Sequence, residues 1–462
     1  MIAWAAVFDG PSTTLPVTDG PDAADPTPTH QKAAPTKSRD ESGRQQDTDL
    51  PLVIPKLRPL IDSDRLLLDQ LPRLALDHGP LAVDTERADG FRYKRLPYLI
   101  QMNSPSTGTL LIDPIQLSQS ALAQLNQVLA DRQWVIHSAS QDLVALRLVG
   151  LTPHHLFDTE LAGRLLNLGH VSLGAMLEKI MQVHLAKDHG HSDWSTRPLP
   201  EDWLRYAAGD VDYLIELAAN LDQSLRQSGK HDWAAQEFDW ALCQPAPAAK
   251  PDPWRSTSGI GQVSHRRGLA LIKDLWTRRE TLAEQLDLSP HLLLTDRMII
   301  ALAELVSDAP MTRVRALLTR RDFRQPKLQP YLDHWRKAID SVEQLPEIDL
   351  PPRRGPKRGL LSPNRWEAHH PEAYQRWLQA RQATRDLATK IQIPVENLIS
   401  PKPLQQLAWQ PTGPTATQLD DQLAQYCVRS WQRQLVLPVI VKAWANSPRL
   451  GPPADDQPVP QR

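Results

Sequence analysis

Between residues 51 and 235 the chain alternates two kinds of apolar pattern. Short runs of strand length, LAVDTE (81–86), PYLIQM (97–102), TLLID (109–113) and WVIH (134–137), stand among segments whose apolar residues recur every three to four positions: 64–76, 118–130, 140–150, 158–168 and 199–225. The first three runs lie close enough to form a meander, and the later alternation of strand and helix predicts a mixed sheet flanked by helices, an α/β domain. After QPAPAAKPDP (244–253) the strand signals stop. The remainder reads as helix in two parts, divided by a stretch rich in proline, glycine and basic residues (345–363). Each part contains a long amphipathic helix, 268–289 in the first and 374–393 in the second. A short polar break and a Leu/Ile/Pro segment follow, 291–305 and 395–410, which predicts a diverged internal repeat. Residues 1–50 carry little aliphatic pattern and read as a disordered tail, as do 449–462. The expected domain limits are 51–235 for the α/β domain, 236–256 for a linker, 257–344 for the first helical module, 345–363 for the basic linker and 364–448 for the second module.

Composition narrows the class without naming it. A chain of 462 residues exceeds the usual single core. Its formal charge of −2 is no global signature of a polyanion binder, so any basic surface must be local. Two widely spaced cysteines, Cys243 and Cys427, fit neither a disulfide framework nor a zinc site, and a reducing compartment is expected. The opening MIAWAAVF is too short for a signal core and runs into Asp9. No later run reaches the roughly 18 apolar residues of a spanning helix. A cytoplasmic protein with no membrane contact and no obligate protein partner is therefore expected.

Four carboxylates carry the candidate chemistry. Asp84 and Glu86 are two apart on a predicted strand and share one face of it, with Thr85 turned to the other. Asp142 falls in the first turn of a helix after the run that ends in His137, where it also suits the helix dipole. His137 stays outside the ligand set, because hard cations do not favour imidazole over oxygen. Tyr206 and Asp210 are one turn apart on a strong helix. Taken singly, these are a strand emerging into solvent, a cap and a core tyrosine. Together they place acids from three elements where they could share divalent ions, and a two-metal site stabilises both oxygens of an in-line phosphoryl displacement.

In this order and context, Asp84, Glu86, Asp142, Tyr206 and Asp210 resemble the DEDD superfamily of 3′–5′ exonucleases, in the subclass with tyrosine in the third motif. The segments LAVDTERADGFRYKRLPYLIQM, VIHSASQDL, FDTELAGRLL and AKDHGHSDWSTRPLPEDWLRYAAGDVDYL resemble ribonuclease D over roughly 170 residues. The resemblance implies a ribonuclease-H-like fold and two Mg²⁺ or Mn²⁺ ions held by Asp84, Glu86, Asp142 and Asp210. It also implies that Tyr206 positions the attacking water. The substrate it implies is RNA with a free 3′ end, tRNA precursors among them, degraded to nucleoside 5′-monophosphates. One departure stands out: the family usually carries Gln or Glu between the Lys and the Ser-Asp-Trp, where this chain has AKDHGHSDW, so Gly190 or its neighbours are expected to alter a local contact.

The first helical module, around Trp276, Leu288–Pro290 and Leu294–Asp296, resembles the helicase and RNase D C-terminal (HRDC) domain, and the second resembles a further such domain more weakly. Candidate RNA contacts are Lys187, Trp194 and Arg197 ahead of the third motif. Others are Arg320, Arg321 and Arg324 in TRVRALLTRRDFRQPK (312–327), which has six basic residues against one Asp. Trp194 could stack a base or pack the helix, and Arg197 could pair with an acid instead. The linker cluster Arg353, Arg354, Lys357 and Arg358 could also touch RNA. Two other functions stay open on the residues alone: a DNA 3′–5′ exonuclease, since no residue announces 2′-hydroxyl recognition, and a noncatalytic RNA-binding protein.

Overall fold

The structure is a computed structural model that describes residues 50, 52–185, 189–245, 250–306, 311–320, 323, 326–355, 360–413 and 415–445. Its strands are β1 (Leu52–Val53), β2 (Leu60–Ile61), β3 (Leu81–Arg87), β4 (Pro97–Ser104), β5 (Gly108–Ile112), β6 (Gln133–Ile136), β7 (His155–Asp158) and β8 (His184–Leu185). Six of them form one mixed sheet in the order β2-β5-β4-β3-β6-β7. The meander β3-β4-β5 is antiparallel, while β6 and β7 run parallel to β3 and β2 runs parallel to β5. The catalytic-type strand β3 thus lies inside the sheet, gripped on both edges.

The helices of this domain are α1 (Asp64–Leu68), α2 (Leu71–Ala75), α3 (Gln119–Leu129), α4 (Asp142–Leu148), α5 (Thr159–Leu165), α6 (Leu173–Met176), α7 (Glu201–Asp212), α8 (Leu214–Gln227) and α9 (His231–Cys243). On one side of the sheet Leu99 and Leu111 meet Trp194, Leu204, Ala207 and Ala208, so α7 rides over β3, β4 and β5. The rest of the core includes Val83, Ile100, Met102 and Ile112 with Leu122, Leu125, Leu143 and Leu146 from α3 and α4.

Several boundaries differ from the sequence reading for local reasons. The helical pattern 64–76 is two short helices, the second with Pro72 in its first turn. The long pattern 199–225 breaks at Tyr213 (φ −113°, ψ −1°) into α7 and α8. Residues 155–158, partly read as the start of a helix, form a parallel strand whose last residue, Asp158, caps α5 by accepting from the backbone N–H groups of Glu160 and Leu161. Helix α9 occupies the opening of the segment read as a linker (236–256).

The remaining helices are α10 (Arg266–Leu286), α11 (Pro290–Leu293), α12 (Asp296–Leu305), α13 (Met311–Leu317) and α14 (Leu332–Glu343), then α15 (Trp366–His369), α16 (Pro371–Lys390), α17 (Val395–Leu398), α18 (Pro401–Trp409), α19 (Ala416–Gln425) and α20 (Ser430–Trp444). The repeat is visible in how the long helices end. Asp287 (φ 49°) and Gln392 (φ 54°) are left-handed, and the next residue turns its N–H back to the last helical turn, Leu288 to Ala283 and Ile393 to Ala388, both at 3.0 Å. A one-turn helix, an extended residue (Leu294, Ile399) and a further helix follow in each module.

The two modules meet the α/β domain differently. The first is tied to the loop after β3: Ser289 N–H donates to Phe91 O at 2.9 Å, Lys94 N–H donates to Asp287 Oδ1 at 2.9 Å, and Tyr93 packs against the module's core. The second is welded to α9. Trp233 and Trp431 stack at 5.1 Å, Arg429 grips Glu237 through two bonds of 2.7 Å, and Lys230 Nζ joins Leu165 O to Gln392 O. Cys243 and Cys427 are free and exposed. Among the described residues no helix is long and apolar enough to cross a membrane.

Candidate active site

Strand β3 enters the site from the core. Leu81, Ala82 and Val83 are fully buried, and the next residues are the acids. Alternation along the strand sends Asp84 and Glu86 to the side covered by α7, opposite Gln101 and Leu99 of β4. From above, α7 contributes Tyr206 and Asp210, one turn apart. Oxygens of Asp84, Glu86 and Asp210 lie within 4.8 Å of one another. Three expected ligands are therefore brought together.

Their electrostatics are unfavourable as they stand. Burial, followed by the charges of Asp142 and Asp210, pushes Asp84 well above the carboxylate range. Burial and then Asp84 and Asp210 do the same to Glu86. Asp210 is pushed up to about 7 by burial, against a hydrogen bond from the Tyr206 hydroxyl. Buried carboxylates that repel one another are relieved by taking protons or by sharing a cation. An all-oxygen set on rigid elements suits a hard divalent ion, so the residues present fit the metals that the sequence motifs imply.

Asp142 is handled otherwise. It begins α4, and its Oδ1 accepts from the Thr85 hydroxyl at 2.5 Å and from Arg87 Nη1 at 2.7 Å. Burial raises its pKa, and these two donors oppose the rise. Arg87 is itself fastened by Gln141 Oε1 at 2.9 Å and Asp89 Oδ2 at 3.3 Å. Asp142 belongs to the site through its charge on Asp84, but it lies outside the tight triad. Thr85 and Arg87 were missed in the sequence. Strand alternation puts them together on the side away from the acid pair, yet their partner is 55 to 57 residues further along.

The phenol of Tyr206 is pushed well above its ordinary range, by burial first and then by Asp210, Glu86 and Asp84. It keeps its proton near neutrality, and its hydroxyl is a hydrogen-bond donor, here toward Asp210. The departure noted in AKDHGHSDW falls on this residue: a Cβ at Gly190 would sit 3.4 Å from the Tyr206 hydroxyl, and the His189 ring stands edge-on to the Tyr206 ring at 6.0 Å.

The candidate RNA contacts divide. Trp194 is fully buried against Trp203, 5.2 Å between rings, and packs the fold instead of offering a stacking face. Arg197 clamps buried Asp113 through bonds of 2.6 and 2.8 Å and also donates to the carbonyls of Tyr98, Trp194 and Thr196. Its donors are spent inside the protein, the acid pairing foreseen as its other role. Arg320 is exposed on the first module. Lys187, Arg321 and Arg324 lie outside the described residues, as do Lys357 and Arg358 of the linker. Arg353 bonds to Ser264 O.

Comparison with known proteins agrees with this geometry. Residues 61–226 match the family described as 3′-5′ exonuclease, and residues 359–444 match the 3′ to 5′ exonuclease C-terminal domain. Ribonuclease D of Acidiphilium cryptum is 30% identical over 300 residues, covering 63% of this chain and 74% of that protein. The match spans 55% to 68% of the length of the first five curated relatives, each a ribonuclease D. Among solved structures, a protein from Bifidobacterium adolescentis is 33% identical with a TM-score of 0.76, over 86% of this chain and 99% of that one. Escherichia coli RNase D, an exoribonuclease involved in structured RNA processing, shares the fold at 21% identity and a TM-score of 0.60, over 85% of this chain and 99% of that one.

Proposed function

The chain belongs to the ribonuclease D family of DEDD-superfamily 3′–5′ exonucleases, and on that premise we propose that it hydrolyses RNA stepwise from a free 3′ end to nucleoside 5′-monophosphates. The observation that carries the reading is the convergence of Asp84, Glu86 and Asp210 within 4.8 Å, beneath a tyrosine one turn before Asp210. Asp84, which feels the charges of both Asp142 and Asp210, would be held in common by the ions. Glu86 and Asp210 would complete one metal site, and Asp142 would support a second. Two divalent ions, Mg²⁺ or Mn²⁺, would when bound supply a water of lowered pKa and neutralise charge developing on the phosphate. Tyr206, protonated, would donate a hydrogen bond to the attacking water and set its line of approach. Glu86 and Asp210, brought close despite their repulsion, hold their side of the site in a fixed geometry between strand and helix. The RNAs are tRNA precursors with 3′ extensions, and the compartment is the cytoplasm, which the two free, exposed cysteines support.

The test is digestion of 5′-labelled and 3′-labelled RNA, and of matched DNA, with Mg²⁺, Mn²⁺ or EDTA. Label from the 3′ end should appear at once as mononucleotide, while 5′-labelled strands shorten as a ladder. Faster digestion of matched DNA would overturn the choice of RNA. Activity that survives EDTA would overturn the metal site.

A further inference from the structure

Gln101 lies on β4 directly across from Asp84 in the antiparallel pair, and from Leu111 on its other flank. Opposed residues of such a pair project from the same face with Cβ atoms about 4.5–5.5 Å apart, so this side chain stands beside Asp84 under α7. It is wholly buried. Neither its amide oxygen nor its amide nitrogen has a partner among the described residues, so the orientation of the amide is immaterial. The neighbouring polar position on the same face is settled differently: Asn103 Nδ2 donates to Thr109 Oγ1 at 2.7 Å and to Asp212 Oδ1 at 3.3 Å. A primary amide left unpaired in a packed interior is expensive, and native proteins carry few of them.

We infer that Gln101 is a positioning residue for the metal site: its amide N–H fixes the Asp84 carboxylate in the orientation that shares an ion with Glu86 and Asp210. The inference rests on the metal-dependent reading above and adds to it a residue that touches neither substrate nor ion. The carboxylate directly across the strand pair is the group this unpaired amide stands beside. Residues that orient ligands in this way typically govern about 10–100-fold in metal affinity.

The full chain would be titrated with Mn²⁺ alone, free ion being read by electron paramagnetic resonance, and thermal unfolding of the metal-free protein would be followed in parallel. Gln101→Leu should weaken Mn²⁺ binding by about 10–100-fold, while its metal-free melting temperature stays level or rises, because an unsatisfied amide has been removed. Gln101→Met keeps the length without the amide and should give the same pair of results. Much of the lost nuclease activity should return at saturating Mn²⁺. Unchanged affinity in folded Leu or Met variants, with clear binding by the parent, overturns this inference alone. Weakened binding only where the metal-free protein is also destabilised in both variants overturns it in favour of a packing role. Absence of Mn²⁺ binding by the parent overturns the metal reading and this inference with it.

Discussion

The two sides of β3 hold acids in opposite conditions. On the side under α7, Asp84 and Glu86 face Asp210 with no basic partner within the triad, and burial drives all three toward protonation, with repulsion adding to it at Asp84 and Glu86. On the other side, Thr85 and Arg87 deliver two donors to one oxygen of Asp142 and oppose the rise that burial gives its pKa. The two faces of one strand thus carry an acid cluster with no cation of its own and a clamp of donors on Asp142. Substitutions on the first side should cost activity and leave folding intact or improved. Those on the second should cost folding first.

The sharpest test of that contrast is Asp84→Asn. Removing a direct ligand should lower metal-dependent turnover by more than the roughly 10–100-fold typical of residues that only orient ligands, while the metal-free melting temperature rises as repulsion is relieved. A variant that retained parental turnover would erase the distinction. On the opposite side, Arg87→Met leaves Asp142 buried without its cation and should destabilise the fold by about 3 kcal/mol, the low end for breaking a buried pair. Urea unfolding would measure it, and a loss below ~1 kcal/mol would move Arg87 to the class of weak surface pairs.

His137, the residue after β6, extends the comparison to a buried neutral group. Burial lowers its pKa to about 4, against a smaller opposing effect of Glu160, and its Nδ1 contacts the Thr159 hydroxyl at 2.9 Å. The unfolded chain binds a proton near pH 6.5 that the folded protein refuses until about pH 4. Stability from this residue is therefore complete above pH 6.5 and is lost as pH falls toward 4, by about 3 kcal/mol at most. Asp158, pushed up to about 6 by burial, works in the opposite sense over part of that window, so the comparison is parent against His137→Gln, in which the Asp158 contribution cancels. The variant should flatten the acid limb of the stability profile. The smallest effect is expected of Tyr206→Phe. Losing a water-orienting hydroxyl should lower turnover by about tenfold, below the 10²–10⁴ of a true proton-transfer group, with little change in KM for RNA.

How much of this was legible in the chain depends on how far apart the partners lie. Asp84 and Glu86 were readable because both sit on one strand, and Tyr206 with Asp210 because they are one helical turn apart. Asp142 joined them only through family resemblance. The clamp on it was hidden, since alternation tells which side Thr85 faces but not that α4 starts there. Gln101 was hidden for the same reason: its meaning depends on the register of β4 against β3, which no local pattern reports. Arg197 reads as a basic residue near a motif, and only the fold brings Asp113, 84 positions earlier, into its fork. Trp194 shows the converse, where a packing role follows from the apolar company of Leu199 and Leu204 on either side of α7's start. Helix ends misread at Tyr213 and Asp158 reflect tertiary demands on chain direction that periodicity does not carry.

The bond from Ser289 to Phe91 ties the first helical module to the chain only five residues past Glu86. Five residues of fully extended chain reach at most about 18 Å, and this stretch already contains the turn closed by Phe91 N–H on Ala88 O at 3.0 Å. The tether has little slack. If the module swings outward to admit a bulky RNA, the hydrogen bond parts or the load falls on the end of the strand that carries an acid of the site. Crowding outside the enzyme would then register as tension at its chemistry.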